Sequence, residues 1–235
     1  MFDLGDTLVH LDKPWERVFQ TEVTALYEYL VGTGMRIDFQ NFSTQFIRAF
    51  EEATSKSHLN HIEIPMQEII VKVMRKFGVH NQDLVQGALE AYYKPELESS
   101  QLYPDSLQAL TDLQKDGYPL GLISNAKSDW AVHAILRKFE IDRSFKIVLS
   151  SAALRIRKPR SAIFLNALNA LNLPPSDTVF IGDSLDADVI GARNVGIHAI
   201  YLQRKPPENQ ILIETEATVN SLTQAVKTIN DWTTD

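Results

Sequence analysis

Cysteine is absent from this sequence of 235 residues. Its absence excludes disulfide bonds, a thiolate nucleophile, and zinc or iron–sulfur sites with cysteine ligands. A chain without disulfides suits a reducing compartment, and we expect a cytoplasmic protein.

Long apolar runs are also absent. The stretch over residues 69–74 is interrupted by Lys72 and is far shorter than the roughly 20 residues that cross a bilayer. Asp3 and Asp6 interrupt the N-terminus before an apolar signal-peptide segment can form. We therefore expect a protein with no membrane partner.

Positive charge is in the minority. The chain carries 23 Lys and Arg residues against 30 Asp and Glu residues, which gives a net charge of -7. Proteins that bind nucleic acids usually carry a basic surface, so this balance argues against a nucleic-acid partner. A phosphate site in such an acidic protein needs positive charge from a metal ion or from a few local cations.

From about residue 100 onward, short β-rich runs alternate with helical patterns. Strands are predicted over residues 118–124, 145–149, 178–181 and 197–202. Helices are predicted over residues 107–117, 128–139, 161–171 and 188–194, and an amphipathic helix is predicted in the tail 210–235. This alternation predicts right-handed βαβ units and an α/β fold with a parallel sheet.

Residues 14–99 have a different pattern, with helical periodicity and few strand signals. Apolar residues recur at helical spacing as Trp15, Val18, Phe19, Val23 and Leu26, as Phe42, Phe46 and Phe50, and as Ile69, Ile70, Val73, Met74 and Phe77. The length allows a core domain with a smaller insert. We expect a core formed by residues 1–13 and 100–235, with a helical domain inserted as residues 14–99.

Polar residues follow the predicted strands at the points where these end. They are Asp3, Asp6 and Thr7 after the N-terminal segment, Ser124 and Asn125 after residues 118–123, Lys158 after residues 145–149, and Asp183, Asp186 and Asp188 after residues 178–181. The carboxyl ends of parallel strands form one ligand-binding rim, so we expect these side chains to converge. Only Met1 and Phe2 precede Asp3, so the first strand is either very short or starts upstream of Met1.

In this order and spacing, these residues resemble the four motifs of the haloacid dehalogenase superfamily. FDLGDTL matches the first motif through Asp3 and Thr7, and ISN supplies the hydroxyl of the second motif as Ser124. RKP supplies the lysine of the third motif as Lys158, and GDSLDAD supplies the fourth as Asp183 and Asp188. The inserted helices resemble the family's helical cap of the first type. The resemblance implies a Rossmann-like core with an inserted α-helical cap domain.

The resemblance also implies a Mg²⁺-dependent phosphohydrolase that acts on a small phosphorylated metabolite. Asp3 would attack phosphorus and form an aspartyl phosphate, which water then cleaves. Asp3, Asp183 and the backbone carbonyl of Gly5 would bind Mg²⁺, and Asp188 would hold waters of the metal shell.

Phosphate binding is implied for a second set of residues. Lys158 would neutralise the phosphate charge and orient Asp3, which makes it both a catalytic and a binding residue. Thr7, Ser124 and Asn125 would contribute further phosphate contacts, together with backbone N–H groups of residues 3–7. We expect a small phosphorylated molecule as the binding partner, and a monomer or a homodimer.

Gly5 departs from the family pattern, in which most phosphatases carry an aspartate that protonates the leaving group and later activates water. Asp6 lies one residue late for this role, so we expect its side chain to point elsewhere. General acid–base catalysis is typically worth about 10²–10⁴-fold. Its loss predicts slow turnover, an acid supplied by the cap, or a preference for aryl, acyl or anhydride phosphates.

Alternative functions stay open. A 2-haloacid dehalogenase also lacks the acid–base aspartate, so Gly5 favours it, whereas Asp183 argues against it because an uncompensated carboxylate would repel a carboxylate substrate. A catalytically weak phosphate-binding or interaction protein of the same fold is the second alternative. A phosphonate-cleaving relative needs a cap lysine, and Lys56, Lys72 and Lys76 are interpreted as solvated charges on helix faces.

The remaining conspicuous residues have simpler interpretations. His58 and His61 are interpreted as loop histidines, since no third metal ligand is evident beside them. Arg155 and Arg157 are interpreted as surface charges, with the alternative that one of them reaches the phosphate. The aromatic residues of the helical insert are interpreted as core residues, and they are Trp15, Tyr27, Tyr92 and Tyr93.

Overall fold

The computed structural model of the chain describes residues 1–204 and 215–234. Its strands are β1 (Val9–Leu11), β2 (Ser100–Leu102), β3 (Gly121–Ser124), β4 (Ile147–Ser150), β5 (Val179–Gly182), β6 (His198–Leu202) and β7 (Ala217–Val219). Its α-helices are α1 (Trp15–Gly32), α2 (Phe39–Asn60), α3 (Met66–Lys76), α4 (Leu84–Ser99), α5 (Ser106–Lys115), α6 (Asp129–Lys138), α7 (Ser151–Leu154), α8 (Ser161–Leu171), α9 (Gly191–Arg193) and α10 (Leu222–Thr234). Across the described residues, no helix combines the length and the apolar content of a bilayer-spanning segment.

The parallel sheet is built around the first residues of the chain. Phe2 forms parallel bridges to Leu122 of β3 and to Ile181 of β5. β3 also pairs with β4, β5 pairs with β6, and β6 pairs with β7, all in parallel. The order across the sheet is therefore β4, β3, the N-terminal segment, β5, β6 and β7. The central position of Phe2 places Asp3 at the carboxyl edge, between the ends of β3 and β5.

Successive strand residues face opposite sides of the sheet, as the two-residue period of a strand requires. Leu122 and Ile181 pack with buried apolar residues of α5, α6 and α10 on one face. Ile123 and Phe180 pack with buried residues of α8 and α9 on the other face. Helices therefore cover both faces of a parallel sheet, and the predicted α/β fold is confirmed.

The helices α1 to α4 enclose an apolar core of their own. Phe46 of α2 lies near its centre, with ring centroids 6.0 Å from Phe42 and 5.5 Å from Tyr92 of α4. Asp38 caps the N-terminus of α2, since its side chain accepts a hydrogen bond from the Asn41 N–H at 2.8 Å. The helical character predicted for residues 14–99 is present in these four helices.

A short antiparallel pair joins the helical unit to the sheet. β1 precedes α1 and pairs with β2, which follows α4, so the chain leaves and returns at one place. The Ser99 hydroxyl at the end of α4 donates a hydrogen bond to Asp12 Oδ1 beyond β1. Sequence patterns did not predict these strands, because three residues are too few to display a period.

Other boundaries differ from the predictions by a few residues. The predicted helix over residues 188–194 begins earlier, as a π-helical turn at Leu185–Ile190 that continues into α9. Trp15 was interpreted from the sequence as a core residue, yet it is 44% exposed. The helix predicted in the tail is α10, while residues 205–214 and 235 lie outside the described part.

Two carboxyl groups meet between α1 and α4. Burial raises the pKa of Glu96 to about 7. Burial, followed by the charge of Glu96, raises the pKa of Glu22 well above its usual range. Two carboxylates this close in a low-dielectric site favour a shared proton.

The first prediction concerns helix packing. A Cβ added at Gly191 would lie 2.7 Å from a ring carbon of Phe164 and 3.0 Å from the Pro159 Cα. Gly191→Ala should therefore destabilise the fold by about 1–3 kcal/mol, measured by urea unfolding. The control is Gly32→Ala, where an added Cβ meets nothing within 4 Å. Equal stability of the two variants would contradict this packing.

The second prediction concerns pH. The folded state holds a proton on Glu96 up to a pKa of about 7, whereas the usual value is 4.5. The stability contributed by this proton is present below pH 4.5 and is lost as the pH rises through about 7. Relative to Glu96→Gln, the wild type should lose on the order of 1–3 kcal/mol of unfolding free energy between pH 5 and 8. Urea unfolding across this range tests it, with exposed Glu28→Gln as control, and parallel pH profiles of wild type and Glu96→Gln would contradict it.

Candidate active site

The polar residues at the carboxyl edge of the sheet surround one cavity of about 1200 Å³. The residues predicted for the site that line it are Asp3, Gly5, Ser124, Asn125, Lys158, Asp183 and Asp188. Thr7 is the exception, because it is fully buried and does not line the cavity. The helical unit forms part of the cavity wall through α1, α2, α4 and the first residue of α3.

Lys158 lies at the centre of the site with its side chain almost fully buried. Its Nζ donates to Asp3 Oδ1 at 2.5 Å and to the carbonyl of Ile123 at 2.8 Å. The same Nζ lies 2.8 Å from Asp188 Oδ1. Burial by itself lowers the pKa of Lys158, but the Asp188 and Asp3 carboxylates outweigh burial, so the pKa is raised. Lys158 is therefore a permanent cation that fixes one oxygen of Asp3.

Asn125 holds the backbone of Lys158 in place. Its amide Nδ2 donates to the Lys158 carbonyl at 3.0 Å, and its Oδ1 accepts from the Lys158 N–H at 2.9 Å. This pair of hydrogen bonds joins the loop after β3 to the loop that carries Lys158. Asn125 also lines the cavity, and its contact with phosphate stays a prediction.

Three carboxylates form a cluster that one cation does not neutralise. Asp3, Asp183 and Asp188 each offer an oxygen, and these oxygens lie within 4.8 Å of one another. With Lys158 they leave two net negative charges. Burial raises the pKa of Asp3 to about 6, and burial followed by the charges of Asp3 and Asp188 raises the pKa of Asp183 to about 7. The cluster thus has the oxygen donors and the unbalanced charge that a divalent cation such as Mg²⁺ requires.

The fourth motif brings Asp188 back toward its own strand. Its Oδ2 accepts a hydrogen bond from the Ser184 N–H at 3.0 Å, and the Ser184 hydroxyl accepts one from the Ala187 N–H at 3.1 Å. A Cβ at Gly182 would lie only 2.7 Å from the Asp188 Cβ. Glycine at the end of β5 therefore permits the close approach of this carboxylate.

The hydroxyl residues have different surroundings. Ser124 ends β3 and lines the cavity, where its hydroxyl can donate to a ligand. Thr7 is buried behind the loop, and its hydroxyl has no hydrogen-bond partner among the described residues. Its carbonyl accepts from Arg204 Nη2 at 2.9 Å, and Arg204 also pairs with Asp105 at 2.8 Å. These bonds anchor the loop that follows Asp3.

Gly5 faces open space, since a Cβ added there meets no atom within 4 Å. Asp6 is exposed and adopts a φ of 52°, in the left-handed region that favours glycine and asparagine. Its Oδ1 lies at 3.5 Å from the Tyr103 hydroxyl, a long hydrogen bond, and its side chain borders the cavity. The loop therefore has room for an acidic side chain at position 5.

The helical unit and neighbouring loops bring further residues to the cavity. Those already interpreted from the sequence are Trp15, His58, His61, Tyr92, Tyr93 and Arg157, and His10 of β1 lines the cavity as well. Lys127 also lines the cavity and pairs with Glu63, and sequence analysis missed both residues. Glu63 belongs to no motif, and the position of Lys127 two residues after Asn125 was the only available signal.

The site thus combines a fixed carboxylate, a buried ammonium, a hydroxyl and spare negative charge in one cavity. A carboxylate held by a cation can act as a nucleophile, with the cation reducing its repulsion from an anionic substrate. Such a site fits displacement at an electrophilic centre of a small molecule.

Comparison with known proteins gives the same picture. Residues 37–202 match the model of the haloacid dehalogenase-like hydrolase family. The chain is 27% identical over 202 residues to a glyceraldehyde 3-phosphate phosphatase of Pyrococcus furiosus. The aligned residues cover 86% of this chain and 79% of that protein.

Solved structures share the fold along nearly the whole chain. A 2-haloacid dehalogenase from Pseudomonas syringae pv. Tomato has a TM-score of 0.71 at 22% identity, covering 98% of this chain and 97% of that chain. A HAD phosphatase from Thermococcus onnurineus has a TM-score of 0.66 at 19% identity, covering 97% and 95%. Because the family model matches more than half of its residues, the protein belongs to the haloacid dehalogenase-like hydrolase family.

Proposed function

We propose that the protein is a Mg²⁺-dependent phosphohydrolase that acts on a small phosphorylated molecule through Asp3. The observation that carries this proposal is the contact of Lys158 with both Asp3 and Asp188, beside Asp183, in one cavity. The similarity to a glyceraldehyde 3-phosphate phosphatase supports phosphate ester chemistry.

The proposed reaction has two steps on Asp3. The Asp3 oxygen not held by Lys158 attacks phosphorus, and the bond to the leaving-group oxygen breaks while that oxygen keeps the electron pair. Water then attacks the aspartyl phosphate, which releases phosphate and regenerates the carboxylate. Lys158 holds Asp3 throughout and offsets negative charge, and the Ser124 hydroxyl donates to a phosphoryl oxygen.

The metal would be held by Asp3, Asp183 and the Gly5 carbonyl, with Asp188 beside them. When bound, Mg²⁺ would polarise the phosphoryl group and offset its charge. The fit rests on the two net negative charges of the cluster and on the raised pKa values of Asp3 and Asp183, both of which a cation would lower.

We infer that residues 14–99 act as a cap over this site, inserted into a core of residues 1–13 and 100–235. The position of the β1–β2 pair supports this division, because the chain enters and leaves the helices there. The cavity wall formed by the helices α1 to α4 would then contact the part of the substrate beyond the phosphate.

Gly5 favours substrates whose leaving group needs little protonation. No carboxyl group at position 5 can protonate the departing oxygen, so aryl, acyl and anhydride phosphates should react faster than alkyl phosphates. The same glycine favours a second candidate function, hydrolysis of a 2-haloacid, for which the site would have to accept a carboxylate beside Asp183 and Asp188. In the phosphohydrolase, Mg²⁺ would offset this crowding of negative charge, whereas the haloacid reaction has no metal ion to do so. The phosphohydrolase is therefore the preferred function.

The third prediction tests the nucleophile and the metal. Asp3→Asn should lower phosphate release from an aryl phosphate by about 10³-fold or more, because an amide is a poor nucleophile. Asp183→Asn should raise the Mg²⁺ concentration for half-maximal activity by about 10-fold or more. Asp177→Asn, at the opposite edge of the sheet, is the control. Phosphate release that persists in Asp3→Asn, or after a chelator has removed Mg²⁺, would contradict the proposal. A phosphate-binding protein without activity would release no phosphate.

The fourth prediction restores the missing acid. Gly5→Asp fits the open space and should raise turnover of an alkyl phosphate by about 10²–10⁴-fold, with a smaller gain for an aryl phosphate. Gly5→Asn matches the shape without the proton and should give no such gain. Equal wild-type rates for alkyl and aryl phosphates would show that another group already supplies the proton.

A further inference from the structure

A buried carboxylate holds two cations at the wall of the cavity. Glu63 lies between α2 and α3, and its side chain is fully buried. Its Oε1 lies 3.1 Å from Lys127 Nζ, and its Oε2 accepts hydrogen bonds from Arg157 Nη1 and, at 2.7 Å, from the Ser151 hydroxyl. Lys127 and Arg157 line the cavity while Glu63 does not, so the anion lies behind the two cations.

These three side chains leave one net positive charge facing the cavity. Both cations are largely buried, with 13% of each side chain exposed. An ammonium group has three N–H donors and a guanidinium group has five, while Glu63 takes one from each. The remaining donors can therefore serve a ligand.

The pKa of His58 is consistent with a positive potential at this wall. It lines the cavity, and burial, followed by the positive charges of Arg157 and Lys127, lowers its pKa. Lys127 Nζ also lies 5.7 Å from the centre of the Phe50 ring, another lining residue. The wall combines a cationic pair with an apolar surface, which suits an anion on a short carbon chain.

The cationic pair lies next to the proposed phosphate site. Lys127 follows Ser124 by three residues, and Arg157 directly precedes Lys158. Three residues span at most about 11 Å, so both ends of a small molecule can be held at once. The backbone fixes this wall too, because the Met66 N–H donates to the Lys127 carbonyl at 2.7 Å and the Arg157 N–H donates to the His61 carbonyl at 3.1 Å.

We propose that Lys127 and Arg157 bind a second anionic group of the substrate, so that the substrate class is small phosphomonoesters that also carry a carboxylate or a second phosphate. This inference rests on the proposed function, which places the first phosphate beside Asp3 and Lys158. Charge-assisted hydrogen bonds from both cations would hold the second anion. A substrate without it would leave two partly buried cations with one carboxylate between them, which disfavours its binding.

Non-hydrolysable phosphonates test this by calorimetry on the full chain with Mg²⁺ present. 3-Phosphonopropionate and n-propylphosphonate have nearly the same shape and differ in the carboxylate. The first should bind about 10-fold tighter or more, and Lys127→Met should reduce this ratio to about 2-fold or less. Propane-1,3-bisphosphonate forms the third arm, and its affinity relative to 3-phosphonopropionate assigns the second anion as phosphate or carboxylate.

Lys72→Met is the matched control, since Lys72 also pairs with one glutamate, Glu52, but is half exposed and lies outside the cavity. This variant should keep the wild-type ratio. Equal binding of propylphosphonate and both dianionic ligands to the wild type would overturn the inference while leaving the phosphate site intact. Failure of all three phosphonates to bind would overturn the phosphate site together with the inference. A wild-type ratio near 1 overturns the inference even if Lys127→Met fails to fold.

Discussion

The site depends on the ion pairs that the ammonium group of Lys158 forms. This group lies between Asp3 and Asp188, which come from the first and the fourth motif, and it is almost wholly shielded from water. Carboxylates placed this close in a protein interior repel one another, and an unpaired buried charge is costly. The positions of the surrounding loops are consistent with this constraint. Asn125 holds the backbone of Lys158, and Gly182 leaves room for Asp188.

One ammonium group does not neutralise three carboxylates, so the cluster keeps excess negative charge. This excess favours a divalent cation, and a bound cation would in turn attract a phosphoryl group. Burial raises the pKa values of Asp3 and Asp183, and the charges of the neighbouring carboxylates raise them further. A second cluster of charges lies at the wall of the same cavity. Glu63 is a single carboxylate that holds Lys127 and Arg157, so the excess there is positive. The two clusters thus carry net charges of opposite sign, and this difference favours a ligand that contacts both.

The helical unit contributes the carboxylate of the second cluster. Glu63 comes from the loop between α2 and α3, whereas Lys127 and Arg157 come from the core, so the ion pairs connect the helices to the sheet. Arg155 and Glu68 form another ion pair across the same contact. Arg157 was interpreted from the sequence as a surface charge, but its side chain is largely buried because Glu63 compensates it. A buried cation of this kind is recognisable only once its partner is known.

The sequence by itself determined the class of fold and the main members of the site. Alternating β-rich and helical runs after residue 100 predicted the parallel sheet, because strand and helix periods are local properties of the chain. The order of Asp3, Ser124, Lys158 and Asp183 after successive strands predicted their convergence, because parallel strands end at one edge. Tertiary structure alone decided which side chains compensate each other. Three features depend on residues far apart in the chain: the pairing of Glu63 with Lys127, the proximity of Glu22 to Glu96, and the burial of Thr7. No local period or motif encodes such contacts. Burial and charge compensation depend on what packs against a residue, and only the folded chain specifies that neighbour.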